Sequence, residues 1–146
     1  MSFALALSVF DPITGTPVVD GLTTTGLSVG DVGYISSNNT LTKTDATIAA
    51  SSRAYGVNDG TVGEMVIAGA IALVKFTTAG GSPAAGAPVY LAPSTEEAGA
   101  AGKLTAVAPS TVGQFIAEVG TCQDPSGYAA NKTATILWKP KNIISL

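Results

Sequence analysis

The hydrophobic pattern of this chain has a short period from one end to the other. In residues 2–9, Phe3, Leu5, Leu7 and Val9 fall on one face, and Ser2, Ala4, Ala6 and Ser8 fall on the other. Period two predicts a half-buried strand. Its Ser/Ala face is nearly flat. The segment therefore reads either as the first strand of its own sheet or as an arm that adds to a neighbouring subunit's sheet. A loop follows over 11–17, begun by Asp11-Pro12 and closed by Gly15. Short strands are expected at Val18-Val19, 29–35, Leu41-Thr42 and 53–57, with a polar turn at Ser36-Ser37-Asn38-Asn39. Residues 21–26 read as an exposed edge or loop, and the Ala-rich run 45–52 as at most a helical turn.

The most apolar stretch is 62–76. Gly69 splits it into Met65-Val66-Ile67-Ala68 and Ala70-Ile71-Ala72-Leu73-Val74. Both parities are apolar, which predicts strands buried on both sides. The stretch 85–105 reads as strand, small-residue loop, strand. Further on, Phe115, Ala117 and Val119 share one face. Asp124-Pro125-Ser126-Gly127 reads as a β-turn with Pro at its second position. The last strand runs over 133–139, with Ile136 and Trp138 on one face. The apolar tail Asn142-Ile143-Ile144-Ser145-Leu146 is expected to pack on something.

One local pattern occurs twice. Gly30-Asp31-Val32-Gly33-Tyr34-Ile35 is echoed by Gly86-Ala87-Pro88-Val89-Tyr90-Leu91, and Leu41-Thr42 by Leu104-Thr105 after a longer loop. A degraded internal duplication explains this. So do two hairpins with similar turn requirements, and the unequal loops leave both readings open.

Composition narrows the class. The chain is 46% hydrophobic and 12% charged, against roughly 25% charged in average soluble domains. With Ala, Val, Thr, Ser and Gly dominant, this is an all-β composition. The 146 residues suffice for one domain: an N-terminal arm or strand over 1–20 and a single β domain over 21–146. The seven basic residues form no cluster, so nucleic acid has no electrostatic footprint here. The apolar start lacks a basic flank and is cut short by Asp11-Pro12, so neither a signal peptide nor a membrane span is expected. A low-charge exterior suits a chain whose surface is covered by partners.

Candidate chemistry is thin. The chain has no histidine, which removes the commonest general base and metal ligand. Its one cysteine, Cys122, permits no internal disulfide and no cysteine-based zinc site, and reads as a small buried apolar residue. Gly99-Ala100-Ala101-Gly102-Lys103 fails as a phosphate loop, because Leu104 stands where Ser or Thr must hold magnesium. Glu96-Glu97 reads as a solvated loop pair rather than two carboxyls facing a bond. Trp138, Tyr34, Tyr55 and Tyr90 each sit within a strand-like run, so core or interface packing is the expected reading, with a sugar-stacking platform as the competitor. The expectation is no enzyme, no cofactor and no metal.

The order of pieces carries a resemblance. Gly30-Asp31-x-x-Tyr34, Ala54-Tyr55-Gly56-Val57, Gly69-Ala70-Ile71-Ala72-Leu73-Val74, Gly86-x-x-Val89-Tyr90-Leu91, Gly102-Lys103-Leu104-Thr105 and Ile116-Ala117-Glu118-Val119-Gly120 follow in series. Over the span from Gly30 onward, this resembles the small capsid decoration (cement) proteins of tailed bacteriophages. The resemblance implies a compact barrel-like, β-tulip-type domain, often trimeric; the extended N-terminal arm comes from the alternating pattern of residues 2–9 and lies outside the resemblance. It implies binding to the outer surface of the capsid in the virion, bridging major capsid protein subunits, after synthesis in the host cytoplasm. No catalytic residues carry over. The residues expected at subunit or capsid contacts are Phe3, Leu5, Leu7 and Val9, then Ile143, Ile144 and Leu146. A carbohydrate-binding or adhesion module and a tail structural subunit are the alternatives.

Overall fold

The computed structural model of the chain describes residues 18–19, 21–24, 26–58, 65–67, 69 and 71–146, with the side chains of Val18 and Val19 excepted. Of the arm expected over 1–20, residues 1–17 and 20, with Phe3, Leu5, Leu7 and Val9, lie outside the described residues.

The domain is all-β and barrel-like. The first sheet contains β1 (Val18–Val19), β2 (Thr23–Thr24), β3 (Val32–Ser37), β4 (Thr40–Lys43), β5 (Gly56–Asn58) and β6 (Met65–Val66), in the spatial order β1-β6-β5-β3-β4-β2. The chain runs from β1 at one edge into β2, which pairs in parallel with β4 at the other. The sheet thus curls round on itself. The second sheet contains β7 (Ile71–Lys75), β8 (Pro88–Leu91), β9 (Leu104–Thr105), β11 (Glu118–Asp124) and β12 (Thr133–Trp138), in the order β7-β12-β11-β8-β9. Phe76, just past β7, bridges Leu104 of β9 in parallel, so these edges meet as well. A ribbon of β10 (Phe115–Ile116) and β13 (Ile144–Ser145) stands apart from both sheets.

The two sheets have one topology. Leaving β2 aside, each takes its strands in the spatial order first, fifth, fourth, second, third, all antiparallel neighbours. The registers also correspond. Tyr34 faces Thr42 and Ile35 faces Leu41, as Tyr90 faces Thr105 and Leu91 faces Leu104. Val57 and Asn58 face Val66 and Met65, as Thr121 and Cys122 face Leu137 and Ile136. Residues 18–66 and 71–138 are therefore two versions of one five-stranded unit, here called barrel one and barrel two. The duplication reading holds, and chance similarity of two hairpins does not account for five strands in register.

The hydrogen bonds that open the second strand of each unit repeat too. Asp31 N–H donates to Ser28 O at 3.0 Å, and Ala87 N–H to Ala84 O at 3.1 Å. Gly30 N–H donates to Asn58 O at 2.9 Å, and Gly86 N–H to Cys122 O at 2.8 Å. Gly30 and Gly86 hold φ of +82° and +84°, a left-handed conformation that glycine adopts at little steric cost. That shared requirement is what the sequence echo encodes.

The core is common to both units. Val32, Ala46, Val57 and Val66 of barrel one join Ala72, Val74, Phe76, Val89, Leu91, Leu104, Ile136 and Trp138 of barrel two in one buried cluster. Three expectations need correction. The strand β7 is not buried on both sides: Ala72 and Val74 are buried, but Ile71, Leu73 and Lys75 are half-buried. β12 is not the last strand, because the tail forms β13 against β10. The turn at Pro125 runs on into a short helix, α1 (Tyr128–Asn131), whose Tyr128 N–H bonds Pro125 O. The Tyr128 hydroxyl donates to Thr77 O at 3.0 Å, which ties that helix to the barrel.

Candidate interaction surface

The polar residues singled out from the sequence serve structure. Glu96 and Glu97 are not a free solvated pair. Glu96 Oε1 accepts from Thr105 Oγ1 at 2.8 Å. Glu97 Oε2 accepts from the Ala79 N–H at 2.8 Å and the Thr78 N–H at 3.0 Å, with Lys103 Nζ 3.6 Å from Oε1. The Ala79 N–H leads in holding Glu97 below the ordinary glutamate value, against some desolvation, with Thr78 and Lys103 adding to it. The two carboxyls diverge because one pins the 92–103 loop to β9 and the other pins it to the turn after β7.

Asp31 is buried, and its carboxylate accepts from the Ser28 N–H at 2.8 Å. It lies between Lys43 of barrel one, at 3.9 Å, and Lys75 of barrel two, at 3.5 Å. Asp45 also spans the barrels: its Oδ1 accepts from Thr47 N–H, Thr47 Oγ1 and the Ser94 N–H. Partial burial pushes the Asp45 carboxyl up. The Ser94 and Thr47 donors outweigh it and hold the group below the ordinary aspartate value. Cys122 is buried, and burial, with Asp124 adding, raises its thiol pKa, which makes it a poor nucleophile. Among the described residues no cluster of Asp, Glu or Cys suited to a metal ion forms. Nor is any helix among them long and apolar enough to cross a membrane.

What remains is surface. Of the expected contact residues, Ile143 is half-buried against the core. Ile144 and Leu146 are exposed on the β10–β13 ribbon. Ile144 faces Ile116, and Leu146 N–H donates to Gln114 O at 3.0 Å, so the tail is held in place by the ribbon while the Ile144 and Leu146 side chains stay exposed. Val112 and Val107, which the sequence did not mark, lie near the same end and are 88% and 60% exposed. A side chain's exposure depends on which loops cover it, and no local pattern reports that.

Two shallow grooves meet at Arg53. One, of about 470 Å³, is lined by Ser52, Ala54, Ala117, Val119, Lys141 and Ile143. The other, of about 570 Å³, is lined by Tyr34, Ile35, Ala49, Ala50, Ala54 and Tyr55. Tyr34 and Tyr55 thus come together, with Arg53 beside them. Trp138 does not join them, being fully buried in the core, and Tyr90 belongs to the other barrel. The four-aromatic platform does not exist; a two-tyrosine groove does. Arg and Tyr beside apolar side chains are the residue types enriched at protein interfaces.

Comparison with known protein families, with curated proteins and with solved structures finds no match to this chain.

Proposed function

We propose that this chain is a structural virion protein: a capsid decoration protein of a tailed bacteriophage that binds the outer shell surface and bridges major capsid protein subunits, as a homotrimer. The observation that carries the reading is the exposed apolar surface on a chain with few charges. Val107, Val112, Ile144 and Leu146, and separately Ile35 with Tyr34 and Tyr55, offer apolar contact area. The sequence resemblance supplies the partner.

The mechanism is linkage. A protein that binds the assembled shell and not its separated subunits stabilises the shell by RT ln(1 + [L]/Kd), about 2.7 kcal/mol per site at a hundredfold excess over Kd. Trimeric linkage adds avidity. Such binding needs no proton transfer and no metal, only shape and desolvation. The test is the temperature at which filled heads of the cognate phage release DNA, measured with and without saturating protein. A clear rise is expected; identical release temperatures contradict the proposal.

A second reading has an observation of its own. The Tyr34–Tyr55 groove beside Arg53 suits a sugar ring, as in a carbohydrate-binding adhesion module. Glycan-array binding that is lost in Tyr55→Ala would favour it. Trp138→Ala is no control for this, since Trp138 is core.

A further inference from the structure

We propose that the segment Val9-Phe10-Asp11-Pro12-Ile13 of the N-terminal arm docks in its own chain's groove between Arg53 and Ile143, with the Asp11 carboxylate on the Arg53 guanidinium. The inference rests on strand register and charge and not on the capsid reading.

Register fixes where the arm leaves the domain. Val18 of β1 faces Val66 of β6, Val66 faces Val57 of β5, and Val57 faces Val32 of β3, so one row crosses the first sheet. β1 and β5 are both antiparallel to β6 and therefore run the same way. Traced back from Val18, the chain heads for the end of the sheet where Arg53 and Tyr55 precede β5. β6 runs toward that same end, and just past it the Gly69 N–H donates to Trp138 O at 2.8 Å. Trp138 leads directly into Pro140, Lys141 and Asn142. The arm thus departs at the end of the sheet that carries both walls of the 470 Å³ groove, residues 52–54 on one side and 140–143 on the other.

Charge selects the occupant. Arg53 is exposed, and among the described residues no carboxylate lies within ion-pair distance of it. The described carboxylates are engaged elsewhere. Asp31 takes Lys43 and Lys75, Glu97 takes Lys103, and Glu118 takes Lys141 at 2.6 Å on the far wall of the groove. Asp45, Glu96 and Asp124 accept from Thr47 and Ser94, from Thr105, and from Ser126. Of the remaining acidic residues, Asp20 comes just after β1, Asp59 just after β5 and Glu64 just before β6. Those strand ends all lie at the opposite end of the sheet. Asp11 is the acidic residue on the chain that leaves at the Arg53 end, and the only charged side chain in residues 1–17.

Reach and floor fit as well. β1 and β5 are two strand spacings apart, about 10 Å. Asp11 lies seven residues before Val18, a span of up to about 25 Å when extended. The floor of the groove is apolar, made by Ala54, Ala117, Val119 and Ile143, and apolar residues flank Asp11 on both sides as Phe10 and Ile13. A short tether holds the segment near its own groove at an effective concentration in the millimolar range, which the arm of a second copy does not match in dilute solution. Phe3, Leu5 and Leu7 lie beyond the docked segment.

The test is paramagnetic relaxation in the full, isotope-labelled chain, with a nitroxide attached at Ser8→Cys. The native Cys122 is buried and shielded from the label. Arg53 is exposed, and emission of buried Trp138 before labelling checks that each variant folds. In dilute solution the amide signals of Ala54, Val119 and Ile143 should be lost. A mixture of spin-labelled chain with separate isotope-labelled chain should keep them. Arg53→Glu should bring the signals back, and Asp11→Arg added to Arg53→Glu should remove them again. Full signals with the arm labelled, loss in the mixed sample, a loss that Arg53→Glu leaves unchanged, or a double variant that keeps its signals overturns the proposal.

Discussion

Barrel one and barrel two enter their second strands through the same turn, yet Asp31 stands in one where Ala87 stands in the other. Further along that same strand, Ile35 lies open where its counterpart Leu91 is buried. The backbone requirements of the two units are shared, and the side chains differ where the units touch each other. Asp31 sits at the junction, held by a lysine from each barrel. Leu91 is buried and followed by the long loop 92–103; Ile35, followed only by the two-residue turn Asn38-Asn39, stays open. Divergence between the repeats therefore maps the internal interface, and the surface left open marks where another molecule belongs.

The largest expected effect probes what the barrels share. Gly56 and Gly120 occupy matching positions, each crowded by a carbonyl of the neighbouring strand. A Cβ on Gly56 would lie 2.6 Å from Val66 O, and one on Gly120 would overlap Leu137 O more severely still. Overpacking costs of order 1–3 kcal/mol and sometimes more. Gly120→Ala should destabilise by about 3 kcal/mol and Gly56→Ala by less, in urea melts followed by Trp138 emission. Equal and small effects would break the equivalence.

Next comes the open and covered pair. Leu91→Ala should cost about 3 kcal/mol, within the range for buried leucine, while Ile35→Ala should stay within about 0.5 kcal/mol in dilute solution. Comparable losses would mean that the two faces are equally covered.

Asp31→Ala should cost about 2 kcal/mol, because the Ser28 N–H loses a charged acceptor and two lysines lose their partner at the junction. Both lysines are over a third exposed and shed part of the penalty to water. Ala87→Asp should bring no matching gain, since no lysine pair converges there.

The smallest effect is a pH dependence. Asp45 has a folded pKa below its ordinary value of about 4, so its contribution is present above that value. It is lost as pH falls through the depressed folded pKa. The stability gap between wild type and Asp45→Asn should be widest near neutrality and close in that acid window. A gap that is independent of pH would contradict the assignment.

Much of the fold was legible because turns need particular residues. Gly30 and Gly86, each with a tyrosine four residues on, show the echo in the sequence, which left duplication and chance similarity of two hairpins both open. The alternation of Ile136 and Trp138 marked β12. The match between Gly56 and Gly120 was not legible, since a strand glycine announces a close approach but not which strand approaches. The ribbon of β10 and β13 was missed because its pairing joins residues nearly thirty apart through two-residue strands, too short for a period. At the surface, Ile144 and Leu146 could be suspected from the apolar tail they belong to. Ile35 could not: it looks like any strand residue until the shorter turn beside it is compared with the loop that covers Leu91.

The central claim is that one face is built twice, once covered within the chain and once left for another molecule. Hydroxyl-radical footprinting reads side-chain exposure at both copies at once. In dilute solution Ile35 should oxidise readily and Leu91 should not. On addition of filled capsids, Ile35 should fall to the level of Leu91 while Leu91 stays unchanged. An Ile35 signal that is already as low as that of Leu91 in the dilute chain, or one that capsids do not reduce, would contradict the account.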